Sequence, residues 1–130
     1  MDDNSTYHEI RGIIADCMVR KSDDIQLNSK LIAELGMDSL DFLDVIFAIE
    51  KKFGIKFRNG EFEKLLRLDI LLENNDPNGF IKLSELQNLK PYLPELLVSS
   101  QDRLTPIQLF DMISVESLVI AANELMAETV

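Results

Sequence analysis

The 130-residue chain lacks several features that would assign it to a common class of protein. No window approaches the roughly 18 uninterrupted apolar residues of a membrane-spanning helix, and the N-terminus begins Met1-Asp2-Asp3 rather than with a basic segment before an apolar one. Cationic residues are also scarce, because 13 Lys and Arg stand against 23 Asp and Glu, which gives a net charge of -10. This charge repels nucleic acid and favours encounter with basic patches on other proteins. The absence of a long apolar run and the negative charge predict a cytoplasmic protein with no membrane span and no nucleic-acid ligand.

Residues for nucleophilic or metal chemistry are equally few. Cys17 is the one cysteine, so an internal disulfide is excluded, and its place on a helical apolar stripe predicts a buried core thiol. His8 is the one histidine and has no partner at a catalytic or metal-ligand spacing. Residues 58–113 contain no paired acid and base, no His and Cys cluster and no glycine-rich phosphate loop. These residues give little support to a nucleophilic or metal-dependent site.

Apolar residues at three- and four-residue steps predict an all-α fold. Helices are expected over residues 7–19, 38–53, 61–73 and 83–89, and a last helix is expected to begin after Ser114. Strand signals are confined to residues 55–57. With 46% hydrophobic residues, the chain is expected to form a single domain over residues 1–130.

The second predicted helix carries two apolar stripes when it is projected at about 100° per residue. The broader stripe is expected to face the core and comprises Phe42, Val45, Ile46, Ile49 and Phe53. The narrower stripe consists of Leu40, Leu43 and Phe47, and acidic residues stand beside it. Because it is more apolar than an exposed surface requires, it predicts a second packing neighbour or a partner-binding face.

The junction that leads into this helix carries the most informative residues. Asp38 fits the N-cap position, and Asp41 stands three residues later, where a capping box has its second acid. Ser39 then becomes the first helical residue, at the positive end of the helix dipole, where an anion esterified to its hydroxyl would be stabilised. From local physics alone, the alternative that Ser39 itself is the cap stays open.

Residues 36–55, beginning Gly36-Met37-Asp38-Ser39-Leu40-Asp41, resemble the Asp-Ser-Leu motif and second helix of acyl carrier proteins. The resemblance covers residues 5–57 and extends to 114–127. It implies a four-helix bundle in which Ser39, between Asp38 and Leu40, carries 4'-phosphopantetheine, whose thiol holds an acyl chain as a thioester. A carrier of this kind performs no chemistry itself, so the resemblance implies that the protein is not an enzyme. The sequence of the second helix is more similar to specialised carriers of very-long-chain hydroxy fatty acids for lipid A than to housekeeping fatty-acid carriers. A peptidyl or aminoacyl carrier is the alternative within the same chemistry.

The resemblance also implies partners for a monomeric carrier. These are a phosphopantetheinyl transferase, an acyl-loading enzyme and acyltransferases with basic docking patches. The implied partner-binding face comprises Leu40, Asp41, Leu43, Asp44, Phe47 and Glu50. The implied lining of a pocket for the acyl chain comprises Val45, Ile49, Phe53, Val115 and Leu118.

Residues 58–113 are longer than the link that the family usually has between its second and last helices, so they predict a helical insertion. The insertion is rich in leucines that a short helix cannot bury on itself: Leu65, Leu66, Leu68, Leu71, Leu72, Leu86, Leu89 and Leu93. We expect the segment to pack on the carrier core and to widen the mouth of the acyl pocket between helix two and the last helix.

Residues 74–85, within the insertion, resemble an EF-hand calcium loop. The candidate oxygen ligands are Asn74, Asp76, Asn78 and Glu85. A neutral residue at the first loop position and Lys82 at the ninth argue against calcium, so a polar turn joining two helices and no metal site are expected. A calcium-responsive interaction module in which Ser39 is merely a cap is the competing function.

Overall fold

Helices make up nearly all the regular structure of the described residues. A computed structural model describes residues 3–57, 83–97 and 104–128. The α-helices within these ranges are α1 (Asp3–Met18), α2 (Ser39–Phe53), α3 (Leu83–Leu89), α4 (Pro94–Leu97), α5 (Pro106–Asp111) and α6 (Val115–Glu128). Short 3-10 turns occupy Ser22–Asp24 and Lys90–Tyr92, and the described residues contain no strand beyond one isolated bridge between Lys30 and Ser114. The prediction of an all-α fold is confirmed.

The long helices α1, α2 and α6 pack on one another around a common hydrophobic core. Each contributes fully buried side chains at helical spacing, such as Ile10 and Ile14 from α1 and Val45 and Ile49 from α2. The predicted core stripe of α2 is confirmed except at Phe53, which is half-buried against the cluster. This three-helix arrangement holds the start of α2, where the candidate site lies.

The first helix begins four residues earlier than its apolar pattern predicts. The pattern starts at Tyr7, with Ser5 or Thr6 as the cap, whereas α1 begins at Asp3. Thr6 therefore lies within the helix, fully buried, and its hydroxyl donates a 2.6 Å hydrogen bond to Asn123 Oδ1 of α6. The local sequence pattern cannot reveal that Thr6 lies inside the helix, because its hydrogen-bond partner is 117 positions away in the sequence.

At its other end, α1 terminates in a left-handed residue that is not glycine. Val19 has φ 52°, and the Arg20 amide donates to the Ala15 carbonyl at 2.9 Å, which is the Schellman pattern. Glycine usually occupies this position, as Gly54 does after α2 with φ 68°. A β-branched residue in the left-handed region is strained by its Cβ.

We expect Val19→Gly to raise the free energy of unfolding by about 1 kcal/mol. The valine side chain is 92% exposed, so its removal forfeits almost no packing, while the strain at positive φ is relieved. The matched control is Gly54→Ala, which introduces the same strain where a new Cβ meets nothing within 4 Å and should lower stability by a similar amount. Urea unfolding of both variants measures the effect, and a Val19→Gly protein less stable than wild type would contradict it.

The connection between α1 and α2 pairs with the start of α6. Leu31 N donates to the Ile113 carbonyl at 3.0 Å, and the first amides of α6, from Val115 and Glu116, donate to the carbonyls of Ser29 and Leu27 at 3.0 and 2.9 Å. These bonds satisfy amides that a helix start leaves without an intrahelical partner. Ser114 occupies the predicted cap position, with its hydroxyl 3.4 Å from the Ser117 amide.

Part of the expected insertion packs on the core, as predicted. Leu86, Leu89 and Leu93 are completely buried in the common cluster. The 3-10 turn that follows α3 lies against α6, where the Tyr92 hydroxyl donates to the Glu124 carboxylate. The predicted helix over 61–73, with its leucines, lies outside the described residues.

Candidate functional site

The start of α2 is built by a complete capping box. Asp38 has extended backbone angles, and its Oδ1 accepts from the Asp41 amide at 2.8 Å. In return, Asp41 Oδ2 accepts from the Asp38 amide at 3.2 Å. The aspartate at the second position is shorter than the usual glutamate, yet the reciprocal pair forms. Both predicted roles are confirmed.

The capping box settles the competing assignment of Ser39. Because Asp38 occupies the cap, Ser39 is the first residue of the 15-residue helix and is not its N-cap. The alternative that local physics left open, with Ser39 as the cap, is therefore wrong. Asp38 and Leu40, on either side of the serine, are both exposed.

The loop before the serine is also held in place. The Met37 amide donates to the Leu31 carbonyl at 3.1 Å, and the Met37 side chain is 4% exposed. Gly36, at φ 72°, turns the chain at this point, and Arg20 Nη2 donates to the Leu35 carbonyl at 3.1 Å. Contacts from the end of α1 and from the loop therefore position the Asp38–Ser39 junction.

Cys17 lies on the side of α1 near the beginning of α2. Burial raises the pKa of the Cys17 thiol, and the negative charges of Asp44, Asp16 and Asp41 raise it further. The prediction of a buried core thiol needs correction, because Cys17 is only half-buried and packs against the edge of the core. A raised pKa disfavours the thiolate, which is the nucleophilic form.

An exposed apolar face runs along α2 beside the candidate site. Leu40 is 71% exposed, Leu43 40% and Phe47 60%. The pattern left open a second packing neighbour or a partner-binding face, and the exposure of the three side chains agrees with the second interpretation. We refer to these three residues as the α2 apolar face, and their use in docking stays a prediction.

Two acids assigned to the partner face also have partners within the chain. Asp41 belongs to the capping box, and Glu50 Oε2 accepts from the Phe57 amide at 2.8 Å, which joins α2 to the segment after it. The sequence pattern missed this role of Glu50, because Phe57 lies beyond the end of the helix. Asp44 is exposed on the surface of α2.

The residues assigned to an acyl pocket lie in the closely packed core. Val45, Ile49, Val115 and Leu118 are each 0% exposed. A cleft of about 270 Å³ lies elsewhere, between the loop before α2 and helices α4 and α5. Its lining comprises Lys30, Glu95, Leu104, Gln108, Asp111 and Met112, and the Lys30–Glu95 ion pair of 2.7 Å is part of it. This cleft shares no residue with the predicted acyl pocket. The acyl pocket therefore stays a prediction.

We expect Asp38→Ala to lower the free energy of unfolding by about 1 kcal/mol, because the Asp41 amide loses its acceptor. The same change should slow modification at Ser39 by loosening the first turn. Asp38→Asn is the control, since an amide oxygen can accept the same bond. Thermal unfolding of the three proteins tests the prediction, and an alanine variant as stable as wild type would contradict it.

The calcium hypothesis depends on residues outside the described ranges. Asn74, Asp76, Asn78 and the Glu85 side chain lie outside the described part of the structure. Among the described residues, no group of three or more His, Cys, Asp or Glu could hold a metal ion.

We expect the loop 74–85 to be indifferent to calcium, because the neutral Asn74 and Lys82 weaken its ligand set. Amide chemical shifts followed during a calcium titration test this expectation. Saturable shifts centred on Asp76 and Glu85 at sub-millimolar calcium would contradict it.

Comparison with known proteins identifies the class to which this fold and junction belong. The model of the phosphopantetheine attachment site matches residues 8–67, a range that includes all of α2. The chain thus contains a carrier domain of the kind that bears 4'-phosphopantetheine covalently.

Individual relatives narrow the class to a family. The acyl carrier protein of Campylobacter hominis is 35% identical over 75 residues, which are 55% of this chain and 95% of that protein. The acyl carrier protein of Campylobacter jejuni subsp. doylei is 31% identical over 65 residues, 50% of this chain and 84% of that protein. The chain belongs to the acyl carrier protein family, and its all-α fold is of that type.

A third relative is more similar over a shorter stretch. The acyl carrier protein AcpXL of Mesorhizobium japonicum is 49% identical over 53 residues, which are 41% of this chain and 57% of that protein. Acyl carrier proteins are carriers that interact with acyl-handling enzymes.

In the described part of this chain, no helix has the length and apolar character needed to cross a membrane.

Proposed function

We propose that the chain is a specialised acyl carrier protein in which 4'-phosphopantetheine is attached to the Ser39 hydroxyl. The observation that carries the proposal is that Asp38 caps α2, which puts Ser39 at the first position of a long helix. A phosphate there is favoured by the helix dipole and by amides of the first turn. The exposure of Asp38 and Leu40 supports the approach of a transferase to this position. When attached, the group supplies a thiol that carries an acyl chain as a thioester.

The residues around the junction fit this group without supplying chemistry of their own. The carboxylates of Asp38 and Asp41 are held by the capping box, and no histidine or lysine stands beside Ser39 in the sequence. The chain would therefore act as a substrate of a phosphopantetheinyl transferase and then of acyl-handling enzymes, with no catalytic step performed by its own side chains.

We place this carrier in fatty-acid or lipid A biosynthesis in the cytoplasm. The 49% identity with AcpXL over 53 residues supports the specialised form over a housekeeping one. The acyl chain would enter the core lined by Val45, Ile49, Val115 and Leu118, with the half-buried Phe53 at its edge. Because a close-packed interior has no free space, the core has to loosen to accept a chain.

The insertion 58–113 is inferred to be part of the single domain 1–130. The burial of Leu86, Leu89 and Leu93 in the same cluster as α1, α2 and α6 supports this inference. Since the C. hominis protein is 95% covered and this chain only 55%, this chain carries additional residues that its relative does not have. We propose that they widen the mouth of the acyl pocket for a long or bulky chain.

Mass spectrometry of the protein purified from its own cells tests which group is carried on the phosphopantetheine thiol. We expect the intact mass to exceed that of the polypeptide by one phosphopantetheine and one long acyl group, and hydroxylamine should remove the acyl part. An amino acid in place of the acyl group would identify an aminoacyl carrier. A protein that carries the prosthetic group but never a hydroxylamine-labile addition would contradict the acyl assignment.

A further inference from the structure

The charged residues of α2 divide into those with partners inside the chain and those at the edge of the α2 apolar face. Asp41 pairs with its cap, Glu50 accepts from the Phe57 amide, and Lys52 lies 3.5 Å from Glu9 of α1. The two remaining charged residues of the helix are Asp44 and Lys51, and both are exposed.

Helix geometry puts Asp44 and Lys51 on the same flank of the apolar face. At about 100° per residue, their directions differ by about 20°, and seven residues separate them by about 10 Å along the axis. Asp44 is the nearer of the two to Ser39. The flank therefore presents a negative charge close to the attachment position and a positive charge two turns further along, with Phe47 between them on the exposed face.

We propose that this flank selects an acyl-handling enzyme whose docking surface is itself bipolar. Such a partner has an apolar depression for Phe47, a cationic side chain opposite Asp44 and an anionic side chain opposite Lys51, about 10 Å apart. This inference rests on the proposed function, because it names the kind of partner that the acyl carrier meets. A partner with a uniformly basic patch would meet repulsion at Lys51.

Charge complementarity is the argument for this occupant. The chain has a net charge of -10, so a wholly basic surface attracts it from a distance, but discrimination at contact depends on the charges at the edge of the apolar face. Like charges brought together at an interface suppress the wrong partner. Lys51 thus disfavours enzymes with cations at that position, whereas Asp44 keeps the end near Ser39 attractive to cations.

A charge-swap experiment on the phosphopantetheine-bearing protein distinguishes the two kinds of partner. The probe is the acyl-loading activity of a clarified extract of the source cells, supplied with ATP and a labelled long-chain fatty acid, with intact mass as the readout. The proteins are wild type, Asp44→Lys, Lys51→Glu and the double variant, which has the net charge of wild type. Lys52→Glu is the matched control, because it changes the net charge as Lys51→Glu does but on the side that faces α1.

The bipolar surface predicts that each single variant lowers the loading rate about fivefold and that the double variant lowers it more than tenfold. Lys52→Glu should stay within about twofold of wild type, and the differences should shrink in 0.5 M salt. Circular dichroism verifies that each variant is folded.

Two results would overturn the proposal. Faster loading of Lys51→Glu, together with a double variant close to wild type, would show a uniformly basic partner, and equal rates for all five proteins would show that this flank is not used. If the extract loads no protein at all, the acyl assignment fails and this inference fails with it. The mass of the starting material reports separately on the modification of Ser39.

Discussion

Val45→Asp is expected to unfold the protein. Val45 is completely buried at the centre of the core stripe of α2, and a carboxylate at this position would lie among apolar side chains. Burial of an unpaired charge costs several kcal/mol, which is comparable with the whole stability of a typical domain, about 5–15 kcal/mol. Far-ultraviolet circular dichroism and the dispersion of amide chemical shifts measure the loss of fold.

The control for this substitution is Leu40→Asp, which introduces the same carboxylate into the same helix. Leu40 is 71% exposed, so its aspartate remains in water and the fold should survive. Cooperative unfolding of the Val45→Asp protein at a temperature near that of wild type would contradict the placement of this stripe in the core.

Ser39→Ala is expected to abolish attachment of phosphopantetheine and to leave the fold intact. Asp38 caps α2, so the alanine variant keeps the capping box, and alanine is well tolerated at the first helical position. The melting temperature should therefore stay close to that of wild type, while the capacity for modification falls to zero. These two outcomes separate an attachment residue from a structural one.

The second helix could be predicted closely because its boundaries depend on local residues. Asp38 and Asp41 form the box at its start, and Gly54 at positive φ ends it. Periodicity separated Leu40, Leu43 and Phe47 from the core stripe in the same way, since one helix face can be read from the spacing of its residues, and the structure shows that they are exposed. Local physics left two points open: whether Asp38 or Ser39 was the cap, and whether the narrower stripe met a second packing neighbour or formed a partner-binding face.

The errors arose where distant residues decide the outcome. The start of α1 was misplaced because Thr6 is buried by its bond to Asn123, which no local pattern reveals. Cys17 lies on an apolar stripe, but it is only half-buried beside the acids of α2. Glu50 was assigned to the partner face alone, although its carboxylate also holds the Phe57 amide. Each case depends on how the elements pack together.

The insertion also combines a feature that the sequence predicts with one that depends on the tertiary fold. Its leucine content predicted packing on the core, and Leu89 and Leu93 are indeed buried there. The sequence predicts that this segment lies near the mouth of the acyl pocket, between α2 and the last helix. It does not predict that the Lys90–Tyr92 turn contacts α6 through Tyr92 and Glu124. Composition measures how much apolar surface must be buried, but the partner is chosen by the tertiary fold.

The position of the prosthetic group is tested most directly by mapping it on the protein. The wild-type chain is coexpressed with a phosphopantetheinyl transferase, its intact mass is measured, and the modified residue is located by fragmentation of the peptide that spans Asp38–Ser39–Leu40. We expect an increase of one phosphopantetheine on Ser39, and no increase in the Ser39→Ala protein prepared in parallel. An unmodified wild-type chain, or a group found on another serine, would contradict it.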